Sequence, residues 1–110
     1  MSTRCNIIVK DDHHELIFYK HSDGYPKGTL PLLNEFLDLV KSEKIRDNTM
    51  QAAGWLILLG HNDMAKSGSC TSMDWKVGWI EPTTMIHEDI EYLYTIDLVT
   101  KTIETKEVHL

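Results

Sequence analysis

Apolar and polar positions change their period several times along the chain, and each change marks an element. Arg4 to Lys10 alternates in part, with Cys5, Ile7 and Val9 on one face, as in a half-buried strand. Asp11-Asp12-His13-His14 is a polar break, and Glu15 to His21 then sets Leu16 and Phe18 opposite Ile17 and Tyr19. Two β-rich runs flanking a short polar break predict an antiparallel hairpin. A polar connection from Ser22 to Gly28 leads to helical spacing at Leu30, Leu33, Leu37 and Val40, widened by Phe36 and Leu39. Pro31 suits the first turn of that helix, where a missing N–H costs nothing. Lys41, Lys44 and Arg46 suit its C-terminal end, where positive charge is favoured.

Asp47-Asn48 predicts an N-cap for a second helix, Thr49 to Leu59. That segment is apolar on most sides, the pattern of a buried helix. Gly54 reads as a point of close packing and Gly60 as a C-terminal stop. His61 to Asp74 is polar and aperiodic and reads as a long loop. Three strands are predicted at Trp75–Ile80, Ile90–Leu98 and Thr102–His109, with Glu81 to Asp89 joining the first pair and Val99-Thr100-Lys101 turning between the last two. The order ββααβββ predicts an α+β fold, a mostly antiparallel five-stranded sheet with two helices packed on one face.

At 110 residues, 42% hydrophobic and 25% charged, the chain reads as one ordinary globular domain. Its longest apolar run, Trp55 to Leu59, falls far short of the roughly 20 residues that span a bilayer. The N-terminus carries no signal-peptide apolar block. A cytoplasmic protein without a membrane partner is expected, in the host cytoplasm if the setting is viral. Two distant cysteines, Cys5 and Cys70, are then expected as free thiols, Cys5 in the core and Cys70 in a polar loop. The net charge of −6 is uneven: residues 61–110 hold nine acids against four bases, and Glu81 to Asp97 holds five acids and no Lys or Arg. Such a surface repels nucleic acid, which is not an expected partner. It would attract a basic protein surface or a metal ion.

Chemistry concentrates in two connections. The first runs from Tyr19 through Lys20, His21, Ser22, Asp23, Tyr25 and Lys27. An Asp-Gly turn with Tyr25-Pro26 packed over the helix start accounts for it structurally. A ligand-contacting loop accounts for it functionally, with two tyrosine faces, Lys20 and Lys27 as cations, and helix N–H groups near Leu30 for an anion. His21, Ser22 and Asp23 are adjacent, and a hydrolytic triad draws on separated parts of a fold. The second connection, Glu81-Pro82-Thr83-Thr84-Met85-Ile86-His87, leads into Ile90–Leu98, where Tyr92 and Tyr94 share a face with Ile90 and Ile96. Amphipathic tyrosines in a sheet core are the structural account. A stacking pocket for a base or sugar, together with Trp75 and Trp79 and closed by this loop, is the functional one.

Of the six histidines, His13-His14 lie beside Asp11, Asp12 and Glu15, His61 lies near Asp63, and His87 lies beside Glu88 and Asp89. No His-Glu-x-x-His, Cys-x-x-Cys or recurrent ligand spacing organises them, so no metal is expected and His13-His14 should be solvent-exposed. Neither phosphate-binding glycine motif occurs, which argues against a dinucleotide oxidoreductase or NTPase.

Three stretches together, Arg4-Cys5-Asn6-Ile7, Tyr19 to Pro26, and Glu81-Pro82-Thr83-Thr84 followed by Asp89 to Tyr94, resemble a family of small single-domain proteins of phages, prophages and some prokaryotes. The resemblance spans nearly the whole chain. It implies a single-domain fold and a viral setting, and it carries over no activity and no catalytic residue.

The expected function is non-catalytic binding of a small polar, nucleotide-like ligand, with a host defence signal as the natural cargo in a viral setting. Tyr19, His21, Asp23, Tyr25 and Lys27 supply one set of contacts, and Glu81, Thr83, Thr84 and His87 the other. No cofactor is expected. Two other classes stay open: an acidic inhibitor of a basic host protein acting through Glu81–Asp97, and a metal-assisted hydrolase using His21, Asp23, His61 or His87. A homodimer is compatible with so small a sheet.

Overall fold

The computed structural model describes residues 3–21, 23–67 and 80–108, and side chains outside 63–67. Ser22, Cys70, His109 and the run from Trp75 to Trp79 lie outside the described residues. The elements are β1 (Cys5–Lys10), β2 (Glu15–Lys20), α1 (Pro26–Lys41), α2 (Thr49–Ser67), β3 (Ile80–Thr83), β4 (Tyr92–Asp97) and β5 (Thr102–Glu107). They form the expected α+β fold, with a five-stranded sheet in the order β3-β2-β1-β4-β5. The β1–β2 and β4–β5 hairpins are antiparallel, as their turn chemistry requires. β2 and β3 are also antiparallel, whereas β1 and β4 are parallel.

One face of this sheet meets the helices. Cys5, Ile7, Val9, Phe18, Tyr94 and Ile96 point into a core completed by Leu32, Leu33, Phe36 and Val40 of α1 and by Ala52, Ala53 and Leu56 of α2. The tyrosines of β4 belong to this side. Tyr94 is fully buried and donates its hydroxyl to the Gly24 carbonyl at 2.6 Å. The stacking pocket expected around Tyr92 and Tyr94 is therefore a packed core, and Trp75 and Trp79 are outside the description. Burial pushes the Cys5 thiol up to about 12, so Cys5 is a small core residue and not a nucleophile.

Both helices differ from the sequence expectation at an end. α1 starts at Pro26, more than a turn before Pro31, which sits inside the helix. Pro26 meets the same first-turn condition, and a buried lysine fastens the turn that follows. The Lys20 ammonium donates to the Asp23 carbonyl at 3.1 Å, to Thr29 Oγ1 at 3.2 Å and to the Gly28 carbonyl at 3.5 Å. Lys20 is thus a structural cation under α1 and offers no charge to a surface ligand. The Thr29 N–H already bonds the Tyr25 carbonyl at 3.0 Å, so the anion site expected near Leu30 is not at a helix start.

α2 runs on through Gly60 to Ser67, where a loop was expected from His61. Neither glycine plays its expected part. A Cβ at Gly60 would lie 2.7 Å from Ile80 Cδ1, so Gly60 is the point of close packing, whereas nothing lies within 4 Å of a Cβ at Gly54. Gly54→Ala is therefore expected to add about 1 kcal/mol of stability by helix propensity alone, read as a higher urea midpoint at unchanged slope. Nor is α2 buried all round, because Met50, Trp55 and Leu58 are about half exposed.

The N-terminus of α2 is capped twice. Asn48 Oδ1 accepts from the Gln51 N–H, as expected, and Asp11 reaches over from the β1–β2 turn to accept from the Thr49 N–H at 2.9 Å. The other Asp11 oxygen accepts from the N–H groups of His13 and His14. These backbone donors, Thr49 first, hold the Asp11 carboxyl well below the usual carboxylate range. A lowered folded-state pKa stabilises the fold above the unfolded value, near ~4, and that contribution is lost as pH falls through the folded value. Asp11→Ala is expected to lower Tm by about 5 °C at neutral pH. Asp11→Asn should flatten the acid limb of the stability–pH curve. His13 and His14 are exposed at this turn.

Candidate functional site

The site follows from the strand order. β3 runs antiparallel to β2, and β2 to β1, so β3 points the same way as β1 and its parallel neighbour β4. A parallel pair cannot be joined by a tight turn. The chain leaving β3 at one edge must pass β2 and β1 to reach β4. It does so across the sheet face opposite the helices, where Ile8, Ile17, Leu93 and Thr95 are only half-buried.

On that face Tyr19 is the centre. Strand alternation turns it away from its neighbours Phe18 and Lys20, which point to the helices. The crossing segment lays His87 on it, with ring centroids 3.9 Å apart and planes at 18°. His21 meets it edge-on at 4.6 Å. The Tyr19 hydroxyl donates to Asp89 Oδ2 at 2.9 Å, and Arg4 Nε lies 3.5 Å from the same oxygen. Burial, and then the Asp89 carboxylate, push the Tyr19 phenol up to about 12, so it remains a donor at neutral pH.

The histidines are held from both sides. His21 Nε2 bonds Glu81 Oε1, and both side chains are 47% exposed, which leaves them open to solvent and to a ligand. His87 Nε2 meets the Thr83 hydroxyl at 3.0 Å. The His87 backbone N–H donates to Asn6 Oδ1 at 2.8 Å, and Asn6 Nδ2 donates to the Phe18 carbonyl at 2.9 Å. Asn6 is fully buried, so this side chain rivets the crossing segment to the sheet.

The two polar connections therefore meet. Tyr19, His21, Glu81, Thr83 and His87 stand together on one face. Thr84 is exposed on the crossing segment and makes no hydrogen bond among the described residues. Asp23, Tyr25 and Lys27 are not brought into the group. The side chains of Asp23 and Tyr25 pack around Gly28 at the start of α1, and Lys27 is exposed on the first turn. Asp23 adopts a left-handed backbone, φ 54°, as a turn residue does. Among the described residues no group of three or more His, Cys, Asp or Glu side chains could hold a metal. His61 is exposed on α2 and makes no hydrogen bond or ring contact with His21 or His87 among the described residues. No helix among the described residues is long and apolar enough to cross a membrane.

Arg4, Asn6 and Asp89 complete the site and are not among the contact residues expected from sequence. Asn6 carried a signal, since it is a polar residue inside an apolar strand run, on the face opposite Cys5 and Ile7. Arg4 and Asp89 carried none beyond their charge.

No family model, no curated protein and no solved structure matches the chain. What fold and site define is a class: an α+β domain whose uncovered sheet face is bridged by one irregular crossing segment. That segment stacks His87 on Tyr19, which His21 meets edge-on, and Glu81, Asp89 and Arg4 rim the group.

Proposed function

We propose that this protein is a non-catalytic binding protein for a small polar, nucleotide-like ligand, taken up at the Tyr19–His21–His87 face. One observation carries the reading: residues 19–21 and 81–89, far apart in sequence, converge on that face with an exposed imidazole and an exposed carboxylate at its rim. A flat ligand would lie along the histidine rings. Glu81 and Asp89 would accept from hydroxyl or amino groups, and Arg4 would meet an anionic substituent. The cluster offers donors and acceptors more than an activated nucleophile. The Thr83 hydroxyl has His87 beside it, yet no described group orients the second ring nitrogen of His87 as acyl-transfer chemistry requires. In a viral setting, capture without turnover would serve to withdraw a host defence signal.

The test is native mass spectrometry of the purified protein, with small molecules identified in its denatured extract. A stoichiometric nucleotide-like adduct is expected, and the His21→Ala and His87→Ala variants should each bind it at least tenfold more weakly. A bare mass, with no retention of added mono-, di- or cyclic nucleotides, would reject the reading. Steeply salt-dependent binding of a basic protein through Glu81–Asp97 would then favour the acidic-inhibitor alternative.

A further inference from the structure

Away from the sheet face, the corner between α1 and α2 closes against the β4–β5 turn to form an open groove of about 500 Å³. Lys41, Lys44, Arg46 and Lys101 line it. They are four of the eleven basic residues in a chain of net charge −6. The acids in the same groove are Glu43 and Asp47, and only Asp47 is engaged, 3.7 Å from Lys101. Among the described residues, Lys41, Lys44 and Arg46 have no ion-pair partner. Trp55 contributes to the wall and is 49% exposed, a large flat apolar surface next to unneutralised cations.

We infer that this groove binds a compact phosphorylated small molecule bearing a planar or sugar ring, with its phosphate held by Lys41, Lys44 and Arg46 and its ring against Trp55. Arginine and lysine together are the usual phosphate holders, the first as a fork and the second as a point charge. A long polyanion does not suit the site. The adjoining depression, which shares Arg46 and Asp47, is lined by Asp11 and Asp12, and these carboxylates would repel a nucleic-acid strand running on from the groove. The site is separate from the Tyr19–His21–His87 face, and neither reading depends on the other.

The experiment is a two-dimensional amide NMR titration of the full chain at low salt with ADP, adenosine and inorganic phosphate as separate probes. ADP should shift amides of residues 41–47 and the Trp55 indole N–H, saturating at millimolar concentration or below. Phosphate should bind more weakly at the same amides, and adenosine should shift none of them. Lys44→Ala combined with Arg46→Ala, both exposed and thus compatible with the fold, should weaken ADP at least tenfold. Trp55→Ala should weaken ADP but not phosphate. Shifts confined to His21, Glu81 and His87 would overturn this inference while supporting the sheet-face site. An absence of shifts, or shifts unchanged in the double variant, would overturn it outright.

Discussion

Gly24→Ala is expected to cost about 3 kcal/mol of stability, at the upper end for one added methyl. A Cβ there would lie 2.9 Å from the Arg4 carbonyl carbon and 2.9 Å from the Cys5 nitrogen. These are backbone atoms at the entry to the central strand and cannot move aside as a side-chain tip can. Gly24 is also tied at both ends of its peptide groups. Its N–H donates to the Thr3 carbonyl at 2.9 Å, and its carbonyl accepts from Tyr94. Any shift that relieved the clash would break a buried hydrogen bond. Chemical denaturation should show a lower midpoint with an unchanged slope. A loss below about 1 kcal/mol would mean that this turn yields freely.

Lys20→Ala is expected to cost as much, about 3–4 kcal/mol. The side chain is fully buried, so its removal leaves a cavity. It also removes the donor shared by the Asp23 carbonyl, the Gly28 carbonyl and Thr29 Oγ1. Lys20→Met separates the two contributions, since it keeps the stem and drops the ammonium, and it should lose less than Lys20→Ala. Thr29 also donates to the Asp23 carbonyl, at 2.7 Å, so that acceptor is not orphaned. Gly24 and Lys20 fasten the same turn, and their combined loss should fall short of the sum. The sheet-face group should tolerate Lys20→Met, because alternation along β2 puts Lys20 and Tyr19 on opposite faces.

Local periodicity was enough for much of this molecule. The alternation in Arg4–Lys10 and Glu15–His21, the stripe from Leu30 to Val40, the Asn48 cap and the Val99–Lys101 turn are all contacts within a few residues. Each was legible because the physics that makes them is short-ranged. The α+β class followed from those runs, whereas β3 at Ile80–Thr83 lies almost wholly in the stretch expected to connect two strands, because its pairing with β2 and not its own pattern makes it a strand.

What only the tertiary structure decided has a common cause, which is that a residue's part depends on what packs against it from far away. By sequence Pro26 and Pro31 could each open the helix, and only the turn anchored by Lys20 and Thr29 makes Pro26 the one that does. Gly54 and Gly60 look alike in a helix, and only Ile80 tells them apart. The parallel pairing of β1 with β4 leaves no mark in either strand's pattern, yet it sends the chain after β3 across the open face and sets His87 on Tyr19. Polar residues of both connections were visible from the start. Which of them meet was written in the strand order, and so Tyr19, His21, Glu81, Thr83 and His87 form one group while Asp23, Tyr25 and Lys27 stay at the start of α1.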